Sequence, residues 1–298
     1  MDVEKKYKSN AKTKMKKSLI KILFFSVISS HIFVNDSLKA LIPHYYLPAT
    51  ENMREEGLSI GKQAFQLLYF GQIKDSLNLA KLAIKIDDKN EKLWMILAET
   101  QIANKLYENA LISLNNAQKI NPKIGEIYFS QSTIYLKQSK IKKAKYSLQS
   151  GLEILPENYK AIFQLGNIYL MEKDHGKAIE EFNKAIEIKT DFWQAINNKG
   201  LAYFELNKIN LSIFSFEQAI TLEENAESLL ALASCLRTQD INRAIFLAKK
   251  ALINDPNYVD FNYRKDQLWG EKLQRSTEKL FKNPLLEKEI LLAKTKIK

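Results

Sequence analysis

The chain has 298 residues, 46% of them hydrophobic and 27% charged, with only nine Gly and six Pro, a balance that excludes a turn-rich β protein and favours long helices. One thiol, Cys235, and three histidines exclude an internal disulfide framework and any multi-cysteine metal cluster. The net charge of +11 divides into +4 over residues 1–56, +3 over 57–258 and +4 over 259–298, so the long middle is a solvated surface of interleaved signs rather than the basic stripe that nucleic acid requires.

At the amino end, seven lysines between Lys5 and Lys17 precede "SLIKILFFSVISSHIFV", whose uninterrupted core, Ile22 to Ser30, is nine residues long. A membrane-spanning helix needs about 20 apolar residues. Residues 1–40 therefore read as a basic secretory signal, with Ala40 closing "DSLKA" as its cleavage position, or as an uncleaved signal anchor. A buried helix of a soluble protein is a third option. Met15, followed by "KKSLIKILFF", is an alternative translation start. The positive flank keeps the amino end cytoplasmic and sends the residues after the apolar core across the membrane. The expected location is thus exported, in a periplasm or thylakoid lumen, or membrane-anchored with the remainder of the chain on the translocated side. Residues 41–56, with Pro43 and Pro48 around Tyr45 and Tyr46, read as an extended linker.

From Gly57 to Tyr258 the chain matches itself at a period of 34 residues, in six blocks: 57–90, 91–124, 125–158, 159–192, 193–226 and 227–258. Place 8 of the blocks holds Ala64, Ala98, Ser132, Gly166, Gly200 and Ser234. Place 20 holds Ser76, Ala110, Ala144, Ala178 and Ser212, and place 27 holds Ala83, Ala117, Gly151, Ala185 and Ala219. Ala244 and Ala251 complete both series if the last block lacks two residues in its turn. Ala, Gly and Ser make up 52 of the 298 residues, about one in six, so accident does not produce three such columns. Small residues recur where two helices approach closely. Apolar residues recur between them at helical spacing, as in Ile162, Leu165 and Tyr169, then Ile179, Phe182 and Ile186. Pro122, Pro156 and Pro256 fall near block ends, where a helix stops. Each block reads as a helix–turn–helix hairpin.

Against the pattern W-x2-L-G-x2-Y, A-x3-F, then P, "IFQLGNIYL" with "KAIEEFNKAIEI" matches well, and "AINNKGLAYF" with "LSIFSFEQAITL" nearly so. These segments resemble the tetratricopeptide repeat. The resemblance implies an all-α solenoid of six repeats, twelve helices in a right-handed superhelix with a concave groove, closed by a carboxyl-terminal capping helix. The basic signal region, the six repeats and the "LWGEKL" tail together are similar to tetratricopeptide proteins of cyanobacteria, some of which assist assembly of photosynthetic membrane complexes.

"MEKDHGKAIEEF", Met171 to Phe182, gathers an acid, an imidazole and paired carboxylates, the material of a proton-transfer or metal site. The repeat register argues otherwise. His175 falls where neighbouring blocks have Ile73, Tyr107, Ile141 and Ile209, a packing place, and Asp174 suits a helix cap. Glu180 and Glu181 are successive residues on a helix, pointing about 100° apart. Without a phosphate loop, a His-Glu-x-x-His helix or a Gly-x-Ser-x-Gly elbow, no catalytic residue, cofactor or metal is expected. Cys235 reads as a free buried thiol.

What remains is a surface. The family's groove is lined from the first helix of each hairpin, which places Met95, Phe129, Phe163 and Gln164 on the wall with Asn167, Asn197 and Asn198; Glu99, Thr133 and Leu201 lie beside them. Amides there suit the backbone of an extended peptide, and aromatics supply anchoring area. Phe129 and Phe163 equally suit packing between helices. Repeats that bind heat-shock chaperone tails use cations where this chain has Phe163, Ser228 and Leu232, so that function is excluded. In the tail, Phe261, Leu268, Trp269, Leu273, Leu280 and Phe281 form the apolar stripe of a cap, and Trp269 beside Gly270 is a candidate contact. The expected function is a non-enzymatic scaffold that takes a peptide or partner helix of another protein in its groove, such as an assembly factor for a membrane complex. The alternatives are a cell-envelope adaptor and a small-molecule or lipid carrier.

Overall fold

A computed structural model describes residues 50–297. The expected signal or anchor over 1–40, and the linker up to Ala49, lie outside the described residues. Fifteen α-helices succeed one another, with no strand among the described residues. The first twelve form six hairpins: α1 Thr50–Tyr69 with α2 Ile73–Ile86, α3 Glu91–Ala103 with α4 Tyr107–Ile120, α5 Gly125–Lys137 with α6 Ile141–Ile154, α7 Tyr159–Met171 with α8 His175–Ile188, α9 Trp193–Glu205 with α10 Ile209–Leu222, and α11 Ala226–Leu236 with α12 Ile241–Asn254. The architecture is the expected tetratricopeptide solenoid. Odd-numbered helices α1 to α11 are the first, or A, helices, and even-numbered ones the B helices.

Two boundaries differ from the expected ones. Residues 50–56 are helical, so the extended reading of the linker fails from Thr50 onward. The stretch "TENMREE" holds no Pro or Gly, and Pro48 restrains only the residue before it. In the sixth hairpin the two missing residues come from the end of α11, 11 residues long against 13 for α9, and not from the turn.

The period is a packing requirement. Ala64, Ala98, Ser132 and Ser234, with the alanines and serines at places 20 and 27 from Ser76 to Ala251, are all buried to 1% exposure or less. Ser76 Oγ donates to the Ala64 carbonyl at 2.7 Å and Ser212 Oγ to that of Gly200 at 2.8 Å, so the small residues of the two helices lie one against the other. Place 24 fills what place 8 leaves open. A Cβ on Gly166 would stand 2.5 Å from the Phe182 ring, and one on Gly200 2.8 Å from the Phe216 ring. Where place 24 is Leu114 or Leu148, place 8 is Ala98 or Ser132.

Each A helix of the first five hairpins ends on a left-handed residue at place 15: Gly71, Lys105, Ser139, Lys173 and Asn207, with φ between 56° and 74°. The next residue's N–H then reaches back to the A helix, as from Asp174 to the Tyr169 carbonyl at 2.9 Å.

The expected capping helix and basic tail over 259–298 are a chain of short helices: a 3-10 turn Pro256–Val259, α13 Phe261–Asp266, α14 Glu271–Phe281, a second 3-10 turn Pro284–Leu286 and α15 Glu287–Lys296. Leu268 at φ 65° and Gly270 at ψ 171° break the stripe after α13, and Pro284 stops α14. α14 lies on the A-helix side against α9 and α11, while α15 packs on α12. Their hub is Arg264, wholly buried, whose guanidinium donates to the carbonyls of Tyr258 at 2.7 Å and Val259 at 3.0 Å and to Gln274 Oε1 at 2.8 Å. It also pairs with Glu278. No described helix is long and apolar enough to cross a membrane.

Candidate functional site: the inner wall of repeats 4 to 6

The predicted wall residues separate into three groups. Met95 and Phe129 are half-buried packing residues. Met95 lies against the core around Leu114 and Ile127, and the Phe129 ring lies against Gly151 of its own hairpin. Phe163 does both jobs. Its ring packs 5.7 Å from Phe182 and 5.0 Å from Phe192, and one edge lines an inner cavity.

The amides form a ladder across three A helices. Ser228 Oγ donates to Asn197 Oδ1 at 2.7 Å, Asn197 Nδ2 to Asn198 Oδ1 at 3.1 Å, and Asn198 Nδ2 to Asn167 Oδ1 at 2.8 Å. Asn197 has no exposed surface. It therefore ties repeats 5 and 6 together and is not a free peptide-binding amide, which corrects its expected role. A buried amide must be satisfied, and the neighbouring Ser and Asn satisfy it permanently where a transient ligand would not. Every bond points the same way, so Asn167 Nδ2, with no acceptor among the described residues, ends the ladder on the side of Gln164.

Trp269, the candidate contact of the tail, is a buried residue. It is 4% exposed, packs 6.1 Å from Tyr258, and donates its indole N–H to Glu227 Oε1 at 3.2 Å. Burial pushes the Glu227 carboxyl up to about 7, against the hydrogen bonds from Trp269, Asn197 and Tyr258 that favour its charged form. Beside it, α14 takes its amino-terminal cap from another helix. Glu205 at the end of α9 accepts from the N–H of Lys272 and of Leu273, both at 3.0 Å, while Lys272 Nζ donates to the Glu205 carbonyl at 2.5 Å. Glu271 pairs with Lys173 at 2.7 Å.

This docking brings the turn between α13 and α14 onto the inner wall, where Leu268 stands as a ridge between two half-open cavities. The first, about 720 Å³, has an apolar floor of Leu170, Leu201 and Trp269 with Phe261 at its edge. The second, about 660 Å³, runs from Leu136 and Phe163 to Phe192, with Lys160, Gln164 and Asn167 on its side. Met171 and Leu268 line both. His175 lines the first; burial, the largest influence, lowers its pKa, and its Nδ1 has no hydrogen-bond partner among the described residues. Asp174 caps α8, accepting from the Lys177 N–H at 3.2 Å. Glu181 turns away to Lys184 at 2.8 Å. Among the described residues, no group of three His, Cys, Asp or Glu is placed to hold a metal.

Leu268, Glu205, Lys265 and Arg275 carried no signal in the repeat register, because three of them belong to the aperiodic tail. The only sequence hint was "LWG", an apolar pair before a helix-breaking glycine.

The tetratricopeptide-repeat profile matches residues 159–192 and 194–225, the two hairpins that carry most of this wall. Among solved structures, the chain is similar to PilF of Pseudomonas aeruginosa, with a TM-score of 0.62 at 15% identity over 73% of this chain and 98% of that one. It is similar to PilW, with a TM-score of 0.59 at 16% identity over 74% and 97%, and to YrrB, with a TM-score of 0.50 at 18% identity over 61% and 96%. These likenesses are of fold. Among curated proteins no sequence relative matches the chain.

Proposed function

We propose that the chain is a non-enzymatic scaffold that holds a segment of another protein on the inner wall of repeats 4 to 6. The observation that carries this reading is the pair of cavities on either side of Leu268, together about the size of several side chains. YrrB, a repeat protein with an unusual peptide-binding site, and PilW, a type IV pilus biogenesis factor, lend analogy on the same architecture. The basic-then-apolar order of residues 5–34 supports a protein exported or anchored with its repeats on the translocated side. The finer role we infer is assembly of a membrane protein complex.

The test is capture by the full chain from detergent-solubilised host membranes, with two point variants beside it. Met171→Asp changes a residue that is 46% exposed and lines both cavities. Tyr146→Asp changes one 72% exposed on the B helix α6. Membrane-complex subunits lost with the first variant and kept with the second support the proposal. Capture indifferent to Met171 refutes the site. The mass of the same sample decides export, since a chain lacking its first 40 residues has been processed.

A further inference from the structure

The first cavity has a charge balance the second lacks. Four cations face it, Lys173, Lys265, Lys272 and Arg275, against two carboxylates, Glu205 and Glu271. Both carboxylates are already engaged: Glu205 by the two backbone N–H groups that begin α14, and Glu271 by Lys173 at 2.7 Å. Arg275 stands 4.0 Å from Glu271, and Lys265 has no ion-pair partner among the described residues. The second cavity has one cation, Lys160, and two carboxylates, Asp266 and Glu227, in its lining, so the surplus of positive charge belongs to the first alone. What the second does offer is donors: Asn167 Nδ2 at the open end of the amide ladder, and Gln164. The unpartnered Nδ1 of His175 adds a further polar group at the first cavity.

We infer that the two cavities are sockets for an acidic, apolar-anchored segment of the partner protein, its large side chains seated on either side of Leu268 and its carboxylates meeting Lys265 and Arg275. This rests on the scaffold reading and names the chemistry of its partner. Apolar floors take the anchors, and the surplus cations select the flanking charge. A chain crossing the ridge places its carbonyls beside the unused amide donors of Asn167 and Gln164. The tail is thus part of the site: α13 and the Leu268–Gly270 turn supply one wall of both sockets.

The experiment pans a phage-displayed library of random dodecapeptides against the full chain, then measures the enriched peptides on the wild type, on Lys265→Glu/Arg275→Glu and on Met171→Asp. Both charge positions are exposed, so the variants are expected to keep their helical content. The expected peptides combine Leu, Phe or Trp with adjacent Asp or Glu. They bind the charge-reversed chain at least about tenfold more weakly, and wild-type binding weakens as salt is raised. Peptides that lose binding with Met171→Asp yet ignore the charge reversal overturn this inference and leave the scaffold reading standing. Basic or purely apolar selections also overturn it. If no peptide is enriched while laurate remains bound in native mass spectrometry, both readings fall and the sockets belong to a carrier.

Discussion

Gly166→Ala puts the packing account of the repeat at risk. Alanine is the better helix former by about 1 kcal/mol, so on propensity alone the change in the middle of α7 stabilises. The structure predicts the opposite, because the new Cβ would stand 2.5, 2.8 and 3.1 Å from three atoms of the Phe182 ring. Phe182 is itself wholly buried and has nowhere to withdraw. Overpacking of this kind costs roughly 1–3 kcal/mol, and with contacts this short the upper half of that range applies, leaving a net loss of up to about 2 kcal/mol after the propensity gain. At about 2–4 °C per kcal/mol for a domain of this size, the melting temperature falls by several degrees. Gly176→Ala, ten residues on at the start of α8, is the control, since the nearest atom to its new Cβ is Asp174 Oδ1 at 3.8 Å. That change leaves stability unaltered or raises it. Adding Phe182→Leu to Gly166→Ala restores the pairing that Ala98–Leu114 already uses in the second repeat. The double variant then unfolds closer to wild type than the sum of the singles, with a coupling of about 1 kcal/mol or more in a denaturant cycle. If Gly166→Ala melts at or above wild type, the complementarity of places 8 and 24 does not set the period.

Glu205→Ala removes the cap that α9 lends to α14 and costs about 1 kcal/mol, read as faster tryptic cleavage at Lys265 and Lys272 with the repeats still folded. Arg264→Lys keeps the charge but not the fork that reaches two carbonyls, Gln274 and Glu278; it loses about 2 kcal/mol or more in urea unfolding, and a neutral result refutes the hub. The Glu227 carboxyl titrates near 7 when folded against an ordinary value near 4.5, so between those pH values the folded chain binds more protons than the unfolded one. Stability through this group is therefore greatest at acid pH and falls as pH rises toward 7; Glu227→Gln flattens that slope in melts taken across the window. The Cys235 thiol, pushed up to about 12 by burial, stays unreactive toward alkylating reagents until the sixth hairpin opens, so its modification rate in urea reports that opening.

The solenoid was legible because its constraint is repeated. One small residue proves little, but eighteen in three columns identify the contact line between paired helices, and all of them are buried. The left-handed residue at place 15 was poorly legible, because only Gly71 and Asn207 favour that region by themselves. Lys105, Ser139 and Lys173 adopt the same φ, held there by backbone bonds to the preceding helix rather than by their own preference. On the wall, Gln164 and Asn167 could be placed from the register. The burial of Asn197 could not, since it depends on Ser228, 31 residues away, offering its hydroxyl. The burial of Trp269 was illegible for a related reason. Its surroundings, Glu227 and Tyr258, become neighbours only when the broken tail folds back over α9 and α11.

A repeat gives each wall position a nearly equivalent neighbour one turn of the solenoid away, and equivalence is poor material for selecting a partner. Here it is broken twice. The amide ladder uses Asn197 and Asn198 to join repeats 4 to 6, which commits Asn197 inside the wall and leaves Asn167 Nδ2 without an acceptor among the described residues. The tail then covers the wall of repeats 5 and 6 and sets Leu268 beside the same place. Its contribution is aperiodic: a ridge, a buried Trp269, and two cations without a full partner. On the proposed reading, recognition is concentrated at the join between repeats 4 and 5 and the tail, where the chain departs from its own period. The same logic assigns different costs to mutation. Changes at the ladder or at Arg264 are expected to act through stability, because those groups are buried and internally bonded, whereas changes at Met171, Lys265 and Arg275 are expected to act on the proposed binding with the fold intact.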